Sequence, residues 1–105
     1  MNLYAHGKEL NIVLFEGDKD FSVFIDKLTS NGYRFSIIKD LSELQGTIKP
    51  GKLNYAFIDG DISDADLSTY IGAFMKDPDT WGYYIINNEN DIRDNAYSYL
   101  INSLN

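Results

Sequence analysis

Apolar residues along this chain follow two spacings. Four mainly apolar runs of strand length recur, and between them apolar residues return at steps of three and four. The first run is Leu10-Asn11-Ile12-Val13-Leu14-Phe15, β-branched and aromatic, and it ends at Glu16-Gly17-Asp18-Lys19-Asp20. Phe21, Phe24, Ile25 and Leu28 then mark one face of a helix, closed by Asn31-Gly32. Asp18 or Asp20 can cap its start. Tyr33 to Ile38 is predicted as the second strand. Leu41, Leu44 and Ile48 predict a short second helix, stopped by Pro50-Gly51. The third strand is predicted over 53–59. Ser63 followed by Asp66 has the spacing of a capping box, and Leu67, Tyr70, Ile71 and Phe74 form the buried face of the next helix, ended by Asp77-Pro78. Trp81 to Ile86 gives the fourth strand. After a polar loop, Asn87 to Asp91, a last helix is marked by Ile92, Ala96, Tyr99, Leu100 and Leu104. Met1 to Glu9 carries no strong pattern, and His6 within it is assigned no function.

This alternation predicts a doubly wound α/β fold, a four-stranded, mostly parallel sheet with helices on both faces. With strand order 2-1-3-4, the first and third strands are neighbours and their carboxyl ends form the crevice where ligands bind in open α/β sheets. The third run, Asn54-Tyr55-Ala56-Phe57-Ile58-Asp59-Gly60-Asp61, stops in two carboxylates one residue apart. Glu16, at the end of the neighbouring strand, is expected beside them. Two carboxylates ~4 Å apart repel by roughly 4 kcal/mol at an effective dielectric of ~20. Such a site either protonates one acid or takes up a cation. On repulsion alone, Asp59→Asn is expected to stabilise the metal-free protein. The plainer reading of the same residues is a polar strand-to-helix turn, which also favours Asp and Gly.

At 105 residues the chain is read as one domain, 1–105, and 44% hydrophobic residues with 14% aromatics supply a core. Most of the eight tyrosines are assigned to that core. No apolar run approaches the ~18 residues of a membrane span, so no membrane partner is expected. The absence of cysteine excludes thiolate metal sites and fits the cytoplasm. A net charge of −7 argues against a broad nucleic-acid-binding surface, although a bound cation would reverse the sign locally.

The segment from Ile12 to Asp20, an apolar strand followed by E-G-x-x-D, resembles the first motif of the Toprim (topoisomerase–primase) domain. Tyr55 to Asp61, an apolar strand followed by D-x-D, resembles the second, and the element order and length resemble one such domain. The resemblance implies an Mg²⁺- or Mn²⁺-dependent site for phosphodiester chemistry on nucleic acid. By that resemblance Glu16 is the catalytic residue, as general acid/base or as a metal-linked carboxylate, and Asp59 and Asp61 are the metal ligands. Asp20 is auxiliary, and Lys19 is placed to touch a phosphate near Glu16. Asn88-Glu89-Asn90 is similar to an acidic element of OLD-like nuclease versions, which makes Glu89 a further auxiliary residue. Many members carry a glycine three residues beyond the D-x-D aspartate, where this chain has Asp64. No zinc ribbon, ATPase or tyrosine-bearing topoisomerase segment accompanies the motifs, so a stand-alone domain, weak on nucleic acid unless a protein partner adds affinity, is the expectation.

Three rival readings use the same residues. A phospho-receiver domain would use Asp59 as acceptor, but Gly17 stands where a second acid is needed and no lysine ends a fifth strand. A haloacid-dehalogenase-type phosphatase carries its D-x-D on the first strand rather than the third. A non-catalytic acidic interaction module or inhibitor needs none of this chemistry.

Overall fold

The computed structural model describes residues 4, 5 and 8–105; His6 lies outside them. Its elements are β1 (Tyr4–Ala5), β2 (Lys8–Phe15), α1 (Ser22–Ser30), β3 (Phe35–Ile38), two 3₁₀ turns (Leu41–Glu43 and Gln45–Thr47), β4 (Leu53–Asp59), helix α2 over 64–76, β5 (Thr80–Ile86) and helix α3 over 89–104. Strands β3, β2, β4 and β5 lie parallel in that order. This is the expected 2-1-3-4 arrangement. It places β2 and β4 side by side, with Phe15 opposite Ile58 at the last paired position.

Every residue of β4 is buried, as a central parallel strand covered on both faces requires. Alternation along the strands divides the core in two. On one face Leu10, Ile12, Leu14, Tyr55 and Phe57 pack with Phe24 and Leu28 of α1 and Ala96 and Leu100 of α3. On the other, Val13, Ala56 and Ile58 pack with Leu41, Leu44, and Ile71 and Phe74 of α2. The Phe24 and Phe57 rings stand 4.8 Å apart, and Tyr99 lies against Tyr55, Phe57 and Tyr84. Most described tyrosines therefore belong to the core, while Tyr83 is exposed.

Several boundaries differ from the sequence expectation. Strand β2 starts at Lys8 because β1 pairs antiparallel with Lys8 and Glu9, a pairing of two residues that leaves no periodic trace. Tyr33 belongs to the end of α1. Gly32 has φ +78°, its N–H bonds to Thr29 C=O, and the Tyr33 N–H reaches back to Leu28 C=O, so β3 begins only at Phe35. The expected second helix is replaced by the two 3₁₀ turns, the first held by a capping box between Asp40 and Glu43. The expected cap of α2 is present, with Ser63 Oγ accepting from the Asp66 N–H at 3.1 Å. The last helix begins earlier than expected and includes Asp91, with a π-turn over Asp91–Asn95. No helix among the described residues is long and apolar enough to cross a membrane.

At the amino end of the sheet, Asn11 and Asn54 face each other across β2 and β4, and Asn11 Nδ2 donates to Asn54 Oδ1 at 2.6 Å. The Asn54 amide also donates to the Lys49, Lys52 and Asp79 carbonyls. This amide pair closes that end from within, and beside it Lys52 and Glu9 form an ion pair at 2.8 Å. The buried carboxylates lie at the other end.

Candidate functional site

Chain path alone brings the two motifs together. Extending the β2–β4 register one step past Phe15 and Ile58 puts Glu16 beside Asp59. The chain then turns sharply after β2, with Lys19 N–H bonded to Glu16 C=O at 3.1 Å and Gly17 at φ +56°. A β-carbon at Gly17 would stand 2.5 Å from Asp59 Oδ2, so only glycine lets this loop lie on the Asp59 carboxylate.

Asp59 is 1% exposed. Its Oδ2 accepts from the backbone N–H groups of Asp18 (2.9 Å) and Lys19 (3.1 Å), and its Oδ1 from the Asp61 N–H (2.9 Å). The fourth partner is the Lys19 ammonium, 2.6 Å from Asp59 Oδ1 and 2.9 Å from Asp61 Oδ2. A carboxylate offers about four lone-pair directions, and at Asp59 four donors occupy them. Burial by itself would push this carboxyl up. The Lys19 ammonium and the three backbone N–H groups outweigh it and hold Asp59 below the usual carboxylate range. Asp59 and then Asp61 in turn raise the Lys19 ammonium above its ordinary value.

The other acids of the first motif face the start of α1. Glu16 Oε2 accepts from the Phe21 N–H at 3.1 Å, and Asp20 Oδ1 from the Ser22 N–H at 2.9 Å and from the Ser22 hydroxyl. Phe21, the N-cap, has no side-chain oxygen to offer the first turn, and these two acids supply it. Glu16 and Asp20 thus serve the helix terminus. Asp61 is exposed at its carboxylate, and Glu89 stands exposed at the start of α3. Glu89 shares a cleft of ≈ 530 Å³ with Lys19, Asp20, Val23, Ile92 and Arg93. Among the described residues, no three His, Asp or Glu side chains are gathered to hold a metal ion.

An Mg²⁺ or Mn²⁺ ion, implied by the Toprim resemblance, does not fit these side chains as they stand. Such an ion demands oxygen ligands at about 2.0–2.1 Å in octahedral array. Asp59 has no lone pair left to offer, the space between Asp59 and Asp61 holds an ammonium, and Glu16 bonds to Phe21. Lys19, expected near a phosphate, is instead bound to the two aspartates.

A second buried carboxylate went unread in the sequence. Asp91 is 6% exposed. Its Oδ1 accepts from the Tyr84 hydroxyl and the Asn95 amide, both at 2.9 Å, and its Oδ2 from the Asn87 N–H at 2.8 Å. Burial would raise its carboxyl, but the Asn95 amide, the Asn87 N–H and the Tyr84 hydroxyl hold it low. Burial first, then Asp91, pushes Tyr84 up to about 12. The available signal was Asp91 and Asn95 one helical turn apart, directly after a strand carrying a tyrosine.

No protein-family model, no curated protein and no solved structure matches this chain, so the Toprim likeness rests on its two motifs, the element order and the length.

Proposed function

We propose that this chain is a non-catalytic acidic interaction domain that meets a positively charged protein surface through the loops at the carboxyl edge of its sheet. The observation that carries this reading is the Lys19 ammonium seated between Asp59 and Asp61, with every acceptor direction of Asp59 filled. A carboxylate bound in this way has no lone pair for a metal, and none for attack on a phosphoryl group as the receiver reading requires. Asp18, Asp61, Asp64, Asp66 and Glu89 remain exposed in the loops and first helical turns of that one edge. In a chain of net charge −7, these acids favour a cationic partner and repel nucleic acid. The test is titration of a fluorescent lysine- and arginine-rich peptide by fluorescence anisotropy. Binding is expected to weaken with added salt and to fall about tenfold in the triple variant Asp18→Asn/Asp64→Asn/Asp66→Asn, a change of about 1.4 kcal/mol. Equal binding by wild type and variant would overturn it.

The second reading is metal-dependent phosphodiester cleavage by a Toprim-like domain, favoured by the neighbouring positions of Glu16 and Asp59 at the ends of β2 and β4. It requires Lys19 to leave Asp59. Incubating single- and double-stranded DNA and RNA with Mg²⁺ or Mn²⁺ separates the two readings. Cleavage by wild type that disappears in both Glu16→Gln and Asp59→Asn would replace the non-catalytic assignment. No cleavage is expected.

A further inference from the structure

Two aspartates from one strand end meet a single lysine donated by a different loop. Lys19 Nζ is within 2.9 Å of an oxygen from each, and the Lys19 side chain is largely covered, at 18% exposure. The loop that carries it is fastened to the same carboxylate by its own backbone, through the Asp18 and Lys19 N–H groups. Gly17 is the residue that permits the close approach. Lys19 is therefore held in place from both ends of its side chain, whereas a surface lysine pairs by chance and swings freely.

We infer that Lys19 is a built-in counter-ion, taking the position between Asp59 and Asp61 that a divalent cation would otherwise fill, so that the folded chain neither needs nor admits such an ion. The physical basis is charge and space. An ammonium is a compact point charge with three donors, suited to bridging two carboxylate oxygens. It supplies one positive charge to two negative ones, and the three backbone N–H groups on Asp59 contribute the remaining stabilisation locally. Without the ammonium, Asp59 stays buried beside Asp61 with a vacant acceptor direction. A hard divalent cation is the natural replacement for the lost charge. This concerns the same loops as the proposed function but rests on stability rather than on binding.

The experiment is thermal denaturation of the whole chain, followed by circular dichroism, in EDTA and with millimolar Mg²⁺, Ca²⁺ or Mn²⁺. Wild type, Lys19→Met and Lys19→Arg are compared. Wild type is expected to melt at the same temperature in every condition. Lys19→Met, which keeps the stem and loses the charge, is expected to melt roughly 10 °C lower in EDTA. It is expected to recover several degrees with a divalent ion, because an ion that binds only the folded state stabilises it. If this variant is unfolded in EDTA, refolding on addition of the ion is the same result. Lys19→Arg keeps the charge and is expected to remain indifferent to ions. A rise of the wild-type melting temperature with any of the ions would overturn the inference, since the ammonium would not exclude them. So would a Lys19→Met protein, folded or unfolded, that no ion stabilises. Neither result alters the peptide titration or the cleavage assay, which decide the proposed function separately.

Discussion

Asp59, at the end of β4, and Asp91, at the start of α3 just beyond the neighbouring β5, lie at the same edge of the sheet, and both are buried. They are stabilised by different means. Asp59 takes an ammonium and three backbone N–H groups. Asp91 takes a hydroxyl, a side-chain amide and one backbone N–H, with no cation among the partners given above. Neutral donors can hold a buried carboxylate low when they are rigid and already aimed at it, as they are where β5 turns into α3. At Asp59 three of the four donors come from a loop some forty residues away in sequence, and the ammonium fastens that loop to the strand end. One buried charge closes a local turn, and the other joins two distant segments.

The largest expected effect tests this contrast directly. Asp59→Asn removes one member of a mostly buried ion pair and turns an amide toward two backbone N–H donors, at a cost of about 3–5 kcal/mol. Asp91→Asn keeps the shape among neutral partners and is expected to cost about 1–3 kcal/mol. Urea unfolding measures both. Equal losses would mean that the ammonium contributes nothing beyond a neutral donor. The sign at Asp59 is opposite to the expectation from carboxylate repulsion alone, because Lys19 has turned that repulsion into attraction.

Acid titration gives a smaller, shared effect. Both carboxyls are held below the ordinary 3.8, so the unfolded chain takes up their protons first as the pH falls. Their stabilisation is complete above the unfolded value and is lost as the pH falls through the folded ones, below about pH 4. Melting temperatures measured between pH 6 and 2.5 are expected to fall steeply at the acid end. Asp91→Asn should flatten that fall in part. An unchanged slope would show that Asp91 is not held low.

Smallest of all is Tyr84→Phe, which removes one of the donors to Asp91 and leaves the ring against Tyr99. A cost of about 0.5–1.5 kcal/mol in urea unfolding is expected. A loss matching that of Asp91→Asn would mean that the hydroxyl alone holds the carboxylate.

Much of the fold was legible from local pattern. The run Leu53–Asp59 is apolar almost without a break because a central parallel strand is covered on both faces, and Phe21, Phe24 and Leu28 fall on one stripe because α1 covers only one of them. Alternating strand and helix with few permitted topologies then placed Glu16 and Asp59 on adjacent strand ends. Composition set the net charge and excluded thiolate chemistry. The partner of each acid was not legible in this way. Spacing in sequence cannot distinguish a carboxylate waiting for a metal from one that already bonds to a lysine forty residues away, because both need the same residues at the same strand ends. That choice depends on how closely the Gly17 turn lies on Asp59 and on where the Lys19 stem ends. It depends equally on whether Glu16 reaches toward Asp59 or toward the open N–H of Phe21. Those distances, a few ångströms each, are settled only when the loops pack together, and they decide whether the same acids hold a metal or hold the chain.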